Sequence, residues 1–217
     1  MLEIVQKWFA GFALALGLAV PAAAENLSAT FGVRLYGAPV GRMVVASNSN
    51  GSSYAAKGEF RTTGLAGLLA RVRFTMSARG AGEVPRMRSH SYSEDLDTGY
   101  RTSSANLAFS SSDARIDPLT ALLAALVDRP ASTGCAFDGQ TFDGERSMRV
   151  RIRKASESDE GITCTGQLTR VQGYTAEEMA QATGFPFSIE FRRAGDTLVA
   201  ERADVKTIHG QVALVRR

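Results

Sequence analysis

Leu27-Ser28-Ala29-Thr30-Phe31-Gly32-Val33-Arg34-Leu35-Tyr36 decides the fold. Leu27, Ala29, Phe31, Val33 and Leu35 fall on alternate positions, as a strand with one buried face requires. The period of two returns in Val72 to Arg79 and in Met148-Arg149-Val150-Arg151-Ile152-Arg153. In the second run the apolar set faces a core, and three arginines line the opposite face. Further strand-like runs cover 42–47, 54–61, 86–92, 100–109, 163–172, 187–193, 198–208 and 211–215. Short connections rich in Gly, Asn, Ser and Asp join them, the chemistry of hairpins and meanders. Asp143-Gly144 reads as a two-residue turn, with a second turn expected at Asp138-Gly139.

Two segments break this pattern. Asp117 is a cap residue and Pro118 suits a first helical position, while Leu119, Leu122, Leu123 and Leu126 follow at helical spacing. The other face of that helix is Thr120, Ala121, Ala124 and Ala125, so it has no charged side and belongs inside something. Thr175-Ala176-Glu177-Glu178 is a capping box opening a second, shorter helix, with Gly184 and Pro186 as its stop. Gly64-Leu65-Ala66-Gly67-Leu68-Leu69 reads either as a helical turn or as a loop at a cavity mouth. The expected fold is therefore mainly β: a curved antiparallel sheet or open β-barrel wrapping one apolar helix, plus a second short helix.

The first 24 residues give an address. Lys7 precedes an apolar run from Trp8 to Val20, and Pro21-Ala22-Ala23-Ala24 supplies the small residues of a signal-peptidase exit. Cleavage is expected before Glu25, leaving residues 25–217 as a single β-rich periplasmic domain. The apolar run is well short of the roughly 20 residues that span a bilayer, so no membrane span is expected after cleavage. No Cys follows the exit, so no lipid anchor is expected there. In an oxidising compartment, Cys135 and Cys164 are expected to pair as a structural disulfide.

Of 217 residues 44% are hydrophobic and 8% aromatic, and the formal net charge is +3. That composition describes a globular domain, and its charge is too small to predict a nucleic-acid partner. Several signatures occurring in order resemble the exported bacterial proteins classed as domain of unknown function 3108. They are Thr62-Thr63-Gly64-Leu65, Asp117-Pro118-Leu119-Thr120-Ala121-Leu122-Leu123, Phe142-Asp143-Gly144 with Arg146, Cys164-Thr165-Gly166, Arg170 with Gly173-Tyr174, and Phe185-Pro186. Members often carry an aromatic where Ser147 stands. The resemblance implies a proteobacterial periplasmic protein and transfers no catalytic residue. By looser analogy such domains are similar to the open β-barrels of lipoprotein carriers.

Catalytic patterns are not found. His90 and His209 lie far apart with no ligand at metal-binding spacing, and no nucleophile elbow, phosphate loop or dinucleotide fingerprint occurs. Glu94, Asp95 and Asp97 read as a solvated turn. Arg71, Arg73, Arg79, Arg86, Arg88, Arg149, Arg151 and Arg153 read as the solvent faces of strands, or as a patch for anionic headgroups if those strands are neighbours. No catalytic, metal or cofactor site is expected. The expected function is a non-enzymatic envelope protein holding a lipid, a lipidated component or another apolar ligand, with Leu65, Leu68, Leu119, Leu122 and Leu126 lining the site. The alternative is an envelope assembly module with a filled core that binds another envelope protein. Protein recovered from the periplasm should begin at Glu25, and N-terminal sequencing that finds Met1 would overturn this localisation.

Overall fold

The structure, a computed structural model, describes residues 25–217; the segment read as a signal peptide, residues 1–24, lies outside the described residues. The alternating stretch at Leu27 forms β1 (Glu25–Leu35), followed by β2 (Ala38–Ser49), β3 (Ser53–Thr62) and helix α1 (Gly64–Leu69). Then come β4 (Arg73–Ala81), β5 (Arg88–Asp97), β6 (Thr102–Ala108) and helix α2 (Pro118–Leu126). The second half holds β7 (Arg129–Pro130), β8 (Phe137–Phe142), β9 (Ser147–Glu157) and β10 (Gly161–Gln172). Helix α3 (Ala176–Gln181), β11 (Gly184–Ala194), β12 (Thr197–Thr207) and β13 (Gly210–Arg216) complete the chain.

All thirteen strands belong to one antiparallel sheet, with β7 attached to β12 and the others in the order β6-β5-β4-β3-β2-β1-β13-β12-β11-β10-β9-β8. Two meanders are thus joined where the last strand returns to the first, with Phe31 opposite Arg216 and Leu35 opposite Val212. The sheet is not closed: β6 and β8 are its edges. Ile116 covers part of the β8 edge, donating its N–H to the Gln140 carbonyl and accepting from the Phe142 N–H, both at 2.9 Å. Covering an edge in this way removes a template for unwanted pairing.

The core forms on the face that the period of two selects: Phe31, Val33, Met43 and Val45 in the first meander, and Val150, Ile152, Ile189 and Phe191 in the second. Ala200 and Ala203 are both buried although three apart, because the β11–β12 register shifts beside Glu190 and Phe191. An extra residue at such a bulge re-aims the side chains beyond it. The arginines at 149 and 151 point outward and converge on Asp138, with Nε–oxygen distances of 2.8 and 3.2 Å.

The structure changes several local expectations. Asp138-Gly139 lies inside β8 and not in a turn, since both pair with β9. Glu94, Asp95 and Asp97 stand on β5 and not in a solvated loop, paired with β4 and β6. Gly184 and Pro186, expected to stop α3, already belong to β11. Gly64–Leu69 takes the helical one of its two expected readings, so the described residues hold three short helices.

Cys135 and Cys164 are joined by a disulfide, and both are buried. The bond ties the segment leading into β8 to β10, with β9 lying between these two strands. It joins residues separated by 29 positions in the sequence, and a loop of about that length stabilises by roughly 3–4 kcal/mol in the chain-entropy account. Urea denaturation of a Cys135→Ala, Cys164→Ala double variant should therefore show a loss of about 3–4 kcal/mol. A loss below about 1 kcal/mol would mean that β8–β10 is already ordered in the unfolded ensemble.

Candidate functional site: the two faces of the α2 helix

Helix α2 is short, and what fixes it is the polar cluster at its start. Asp117 Oδ1 accepts from the Thr120 N–H at 2.8 Å, the N-cap bond. Asp117 Oδ2 accepts from the Thr120 hydroxyl at 2.6 Å and from the Ser89 hydroxyl of β5. Ser89 Oγ in turn accepts from the Asp117 N–H at 2.8 Å. The Tyr54 hydroxyl of β3 meets Thr120 Oγ1 at 2.5 Å. Four side chains from three elements therefore saturate one another, and Asp117 and Thr120 have no exposed surface.

Burial pushes the Asp117 carboxyl above its ordinary range, against the pull of its hydrogen bonds from Ser89 and Thr120. The same burial pushes the Tyr54 hydroxyl up to about 12. No histidine, cation or reactive group enters this cluster among its hydrogen-bond partners. Its chemistry is that of an anchor, holding the start of α2 on the first meander.

From that anchor the helix presents two different faces. Leu119 packs toward β3, where a Cβ added at Gly58 would stand 3.0 Å from its Cδ1. Leu123 is likewise fully buried. The other face borders an apolar chamber of about 240 Å³, whose walls are Ala121, Leu122, Ala125 and Leu126 of α2 with Val150, Leu168, Phe187, Ile189, Val205 and Leu214 of β9 to β13. Thr141 is the one wall residue with a polar side chain. A dry cavity of about 150 Å³ already admits benzene, so this volume is large enough for an apolar group.

Of the five candidate lining residues, Leu122 and Leu126 meet on this chamber. Leu119 lies in the packed core. Leu65 and Leu68 sit on α1 with 79% and 84% of their surface exposed, away from the chamber. The hollow of greatest volume, about 910 Å³, lies elsewhere: it is an open groove over β1–β6 walled by short side chains such as Ser28, Ala46, Ser77 and Ser93. Its walls mix serines, asparagines and alanines with Lys57 and Arg79, whereas those of the α2 chamber are apolar apart from Thr141.

Two arrangements cannot be assembled from spacing along the chain. Arg129 is buried, with its guanidinium 5.0 Å from the Phe191 ring centroid and its Nε donating to the Val127 carbonyl at 3.0 Å. Among the described residues its terminal nitrogens find no hydrogen-bond partner, and burial pushes its pKa down to about 10. The neighbouring Asp128 is engaged by Arg216 at 2.7 Å. Position next to a proline carries no hint of this. The second feature is a knot around α3. Arg146 pairs with Glu178 at 2.9 Å and lies over Tyr174, while Arg170 lies over Tyr174 and Phe185 and donates to the Ala182 carbonyl at 2.8 Å. Three of the family-like signatures thus meet as one structural joint.

The other sequence candidates are scattered. His90 is exposed on β5 and His209 in the β12–β13 turn. Glu94 is half-buried and accepts from the Tyr92 hydroxyl, and burial raises its carboxyl. Among the described residues there is no cluster of metal ligands and no helix long and apolar enough to cross a membrane. No family model, curated protein or solved structure matches the chain, so the family resemblance rests on its short motifs alone.

The anchor gives a pH prediction. A carboxyl whose folded pKa lies above its unfolded value favours the native state when protonated, so its contribution falls as pH rises from about 4 through the raised value. Asp117→Asn should flatten that part of the stability–pH curve in urea titrations. Asp117→Ala, which removes the cap and strands two hydroxyls, should cost about 2–4 kcal/mol. Equal pH slopes in wild type and Asp117→Asn would show that the buried carboxyl is not what titrates.

Proposed function

We propose that this chain is a non-enzymatic periplasmic envelope protein that holds an apolar ligand between α2 and the second meander. The observation carrying this reading is the chamber beside Leu122 and Leu126, with apolar walls and a volume of about 240 Å³. Small-molecule sites commonly measure about 300–1,000 Å³, so the chamber suits an aliphatic tail more than a whole lipid. On this reading the sheet curls around α2 as an open barrel. Contacts of α2 with β3 and β5 on one side, and the chamber it shares with β9–β13 on the other, support that shape. So does the approach of the two edges, since a Cβ added at Gly144, after β8, would lie 3.2 Å from Leu107 of β6.

Export, with cleavage before Glu25, belongs to the same proposal. The disulfide supports it, because such bonds persist in oxidising compartments. Membership of the domain of unknown function 3108 family is proposed on the ordered motifs from Thr62 to Pro186. An assembly module with a filled core is the competing reading, and the chamber counts against it.

The test is a contrast between neighbouring leucines. Leu119→Ala, in filled core, should cost about 2–5 kcal/mol, and Leu122→Ala, bordering empty space, less than about 2 kcal/mol. Leu122→Ser should stay folded and lose binding of cis-parinaric acid, a fluorescent fatty acid. Native mass spectrometry of protein purified from its own envelope should recover a bound lipid. Equal losses for both alanine variants, with neither fatty acid binding nor lipid recovered, would favour the assembly module.

A further inference from the structure

The antiparallel order gives the sheet two rims, and the exposed large apolar side chains collect on one of them. Tyr36 lies in the β1–β2 turn, Leu65, Leu68 and Leu69 in the β3–β4 connection, Tyr100 in the β5–β6 turn and Ile208 in the β12–β13 turn. The turns of the opposite rim carry Asn50-Gly51, Asp159-Glu160 and Gly195-Asp196 instead. Chance scatter of exposed hydrophobics does not sort them by rim.

Helix α1 is the tip of this rim. Leu65, Leu68 and Leu69 fall at i, i+3 and i+4, and no residue of α1 is buried. Six residues with no buried face have no intrinsic reason to be helical. The base of the connection is clamped instead: Thr62 Oγ1 donates to the Ala70 carbonyl at 2.8 Å and accepts from the Val72 N–H at 3.0 Å. The Thr63 N–H reaches the Val40 carbonyl at 3.1 Å. The fold thus holds three leucines outward. The β5–β6 turn that carries Tyr100 approaches the end of this connection, since a Cβ added at Gly99 would lie 3.7 Å from the Arg71 carbonyl oxygen.

Charge surrounds the tip. Arg42, Arg61 and Arg73 lie directly opposite one another on β2, β3 and β4. Like charges in register across strands disfavour the sheet, so this row is maintained against a local cost. Arg73 has a distant partner in Glu59 at 3.8 Å, and Arg71 pairs with Asp97 at 2.7 Å. Among the described residues neither Arg42 nor Arg61 forms an ion pair with a carboxylate. An apolar tip on a rim with exposed tyrosines, beside a row of arginines of which Arg42 and Arg61 lack a carboxylate partner among the described residues, complements an interface of acyl chains beneath anionic headgroups.

We infer that this rim docks on the surface of an anionic phospholipid bilayer, inserting Leu65, Leu68 and Leu69 while Arg42, Arg61 and Arg73 meet headgroup phosphates. The rim also neighbours the chamber: Met148, Phe187 and Val205 lie near the ends of β9, β11 and β12 that reach it. Docking does not require the chamber to be occupied, so it is testable apart from the ligand.

The experiment is co-sedimentation of the mature chain with vesicles of equal parts phosphatidylcholine and phosphatidylglycerol, and with phosphatidylcholine alone. Wild type should pellet with the mixed vesicles, much less with phosphatidylcholine, and less as salt is raised. Leu65→Ser, Leu68→Ser, Leu69→Ser together should weaken binding about tenfold or more. Arg42→Gln with Arg61→Gln should abolish the preference for phosphatidylglycerol. Because the three leucines are exposed, an unchanged melting temperature certifies that the leucine variant is folded. Equal binding to both vesicle types, or a leucine variant that binds like wild type, overturns the proposal. So does a wild-type dimer in sedimentation velocity that the leucine variant abolishes, which would make a second copy the occupant of the tip.

Discussion

One buried carboxylate sets the position on which the interior depends. Asp117 accepts from Ser89 on β5 and from Thr120, and Thr120 is in turn met by Tyr54 on β3. Helix α2 has only nine residues, below the length at which a helix stands alone in water. Its cap therefore does two things at once: it satisfies end groups of the helix and fixes its start on the first meander. The two meanders are joined in the sheet only where β1 meets β13. The helix supplies a second link through the interior, since its side chains reach both.

That placement explains why packing is uneven around α2. Anchored on β3 and β5, the helix presses Leu119 and Leu123 into the first meander, where no surface remains exposed on Leu119. The distance to the second meander is then set by the sheet and not by the helix, and alanines at 121 and 125 are too small to fill it. The chamber is the residue of that mismatch. The chamber is partly open to solvent, an apolar recess and not a sealed void, and the proposed aliphatic occupant would cover its walls.

Other strong interactions have structural roles. Arg146, Arg170, Tyr174, Glu178 and Phe185 bind α3 to the β8–β9 turn and to β10 and β11. Asp138 between Arg149 and Arg151 braces an edge hairpin on its exposed side. Surface ion pairs of that kind contribute little to stability, so their use is to fix strand register and side-chain direction. Arg42 and Arg61 differ, because among the described residues no carboxylate answers them.

Element types were legible along the chain. Leu27 to Leu35 could only be a half-buried strand, Asp117-Pro118 opened the apolar helix, Thr175 to Glu178 capped α3, and two cysteines in a chain with a leader-like start paired. These are local matters, settled by period, cap chemistry and cysteine count. Contacts between distant segments settled the rest. Cross-strand register placed Arg42, Arg61 and Arg73 in one row, which no spacing along the chain reveals. It drew Asp138-Gly139 into β8 and Glu94 to Asp97 into β5, because ladder pairing overrides turn preference. Packing also split the leucines expected to form one lining: Leu122 and Leu126 face the chamber, Leu119 faces the core, and Leu65 and Leu68 face outward. Helical spacing shows that a face is apolar; what that face meets is set by partners distant in the chain.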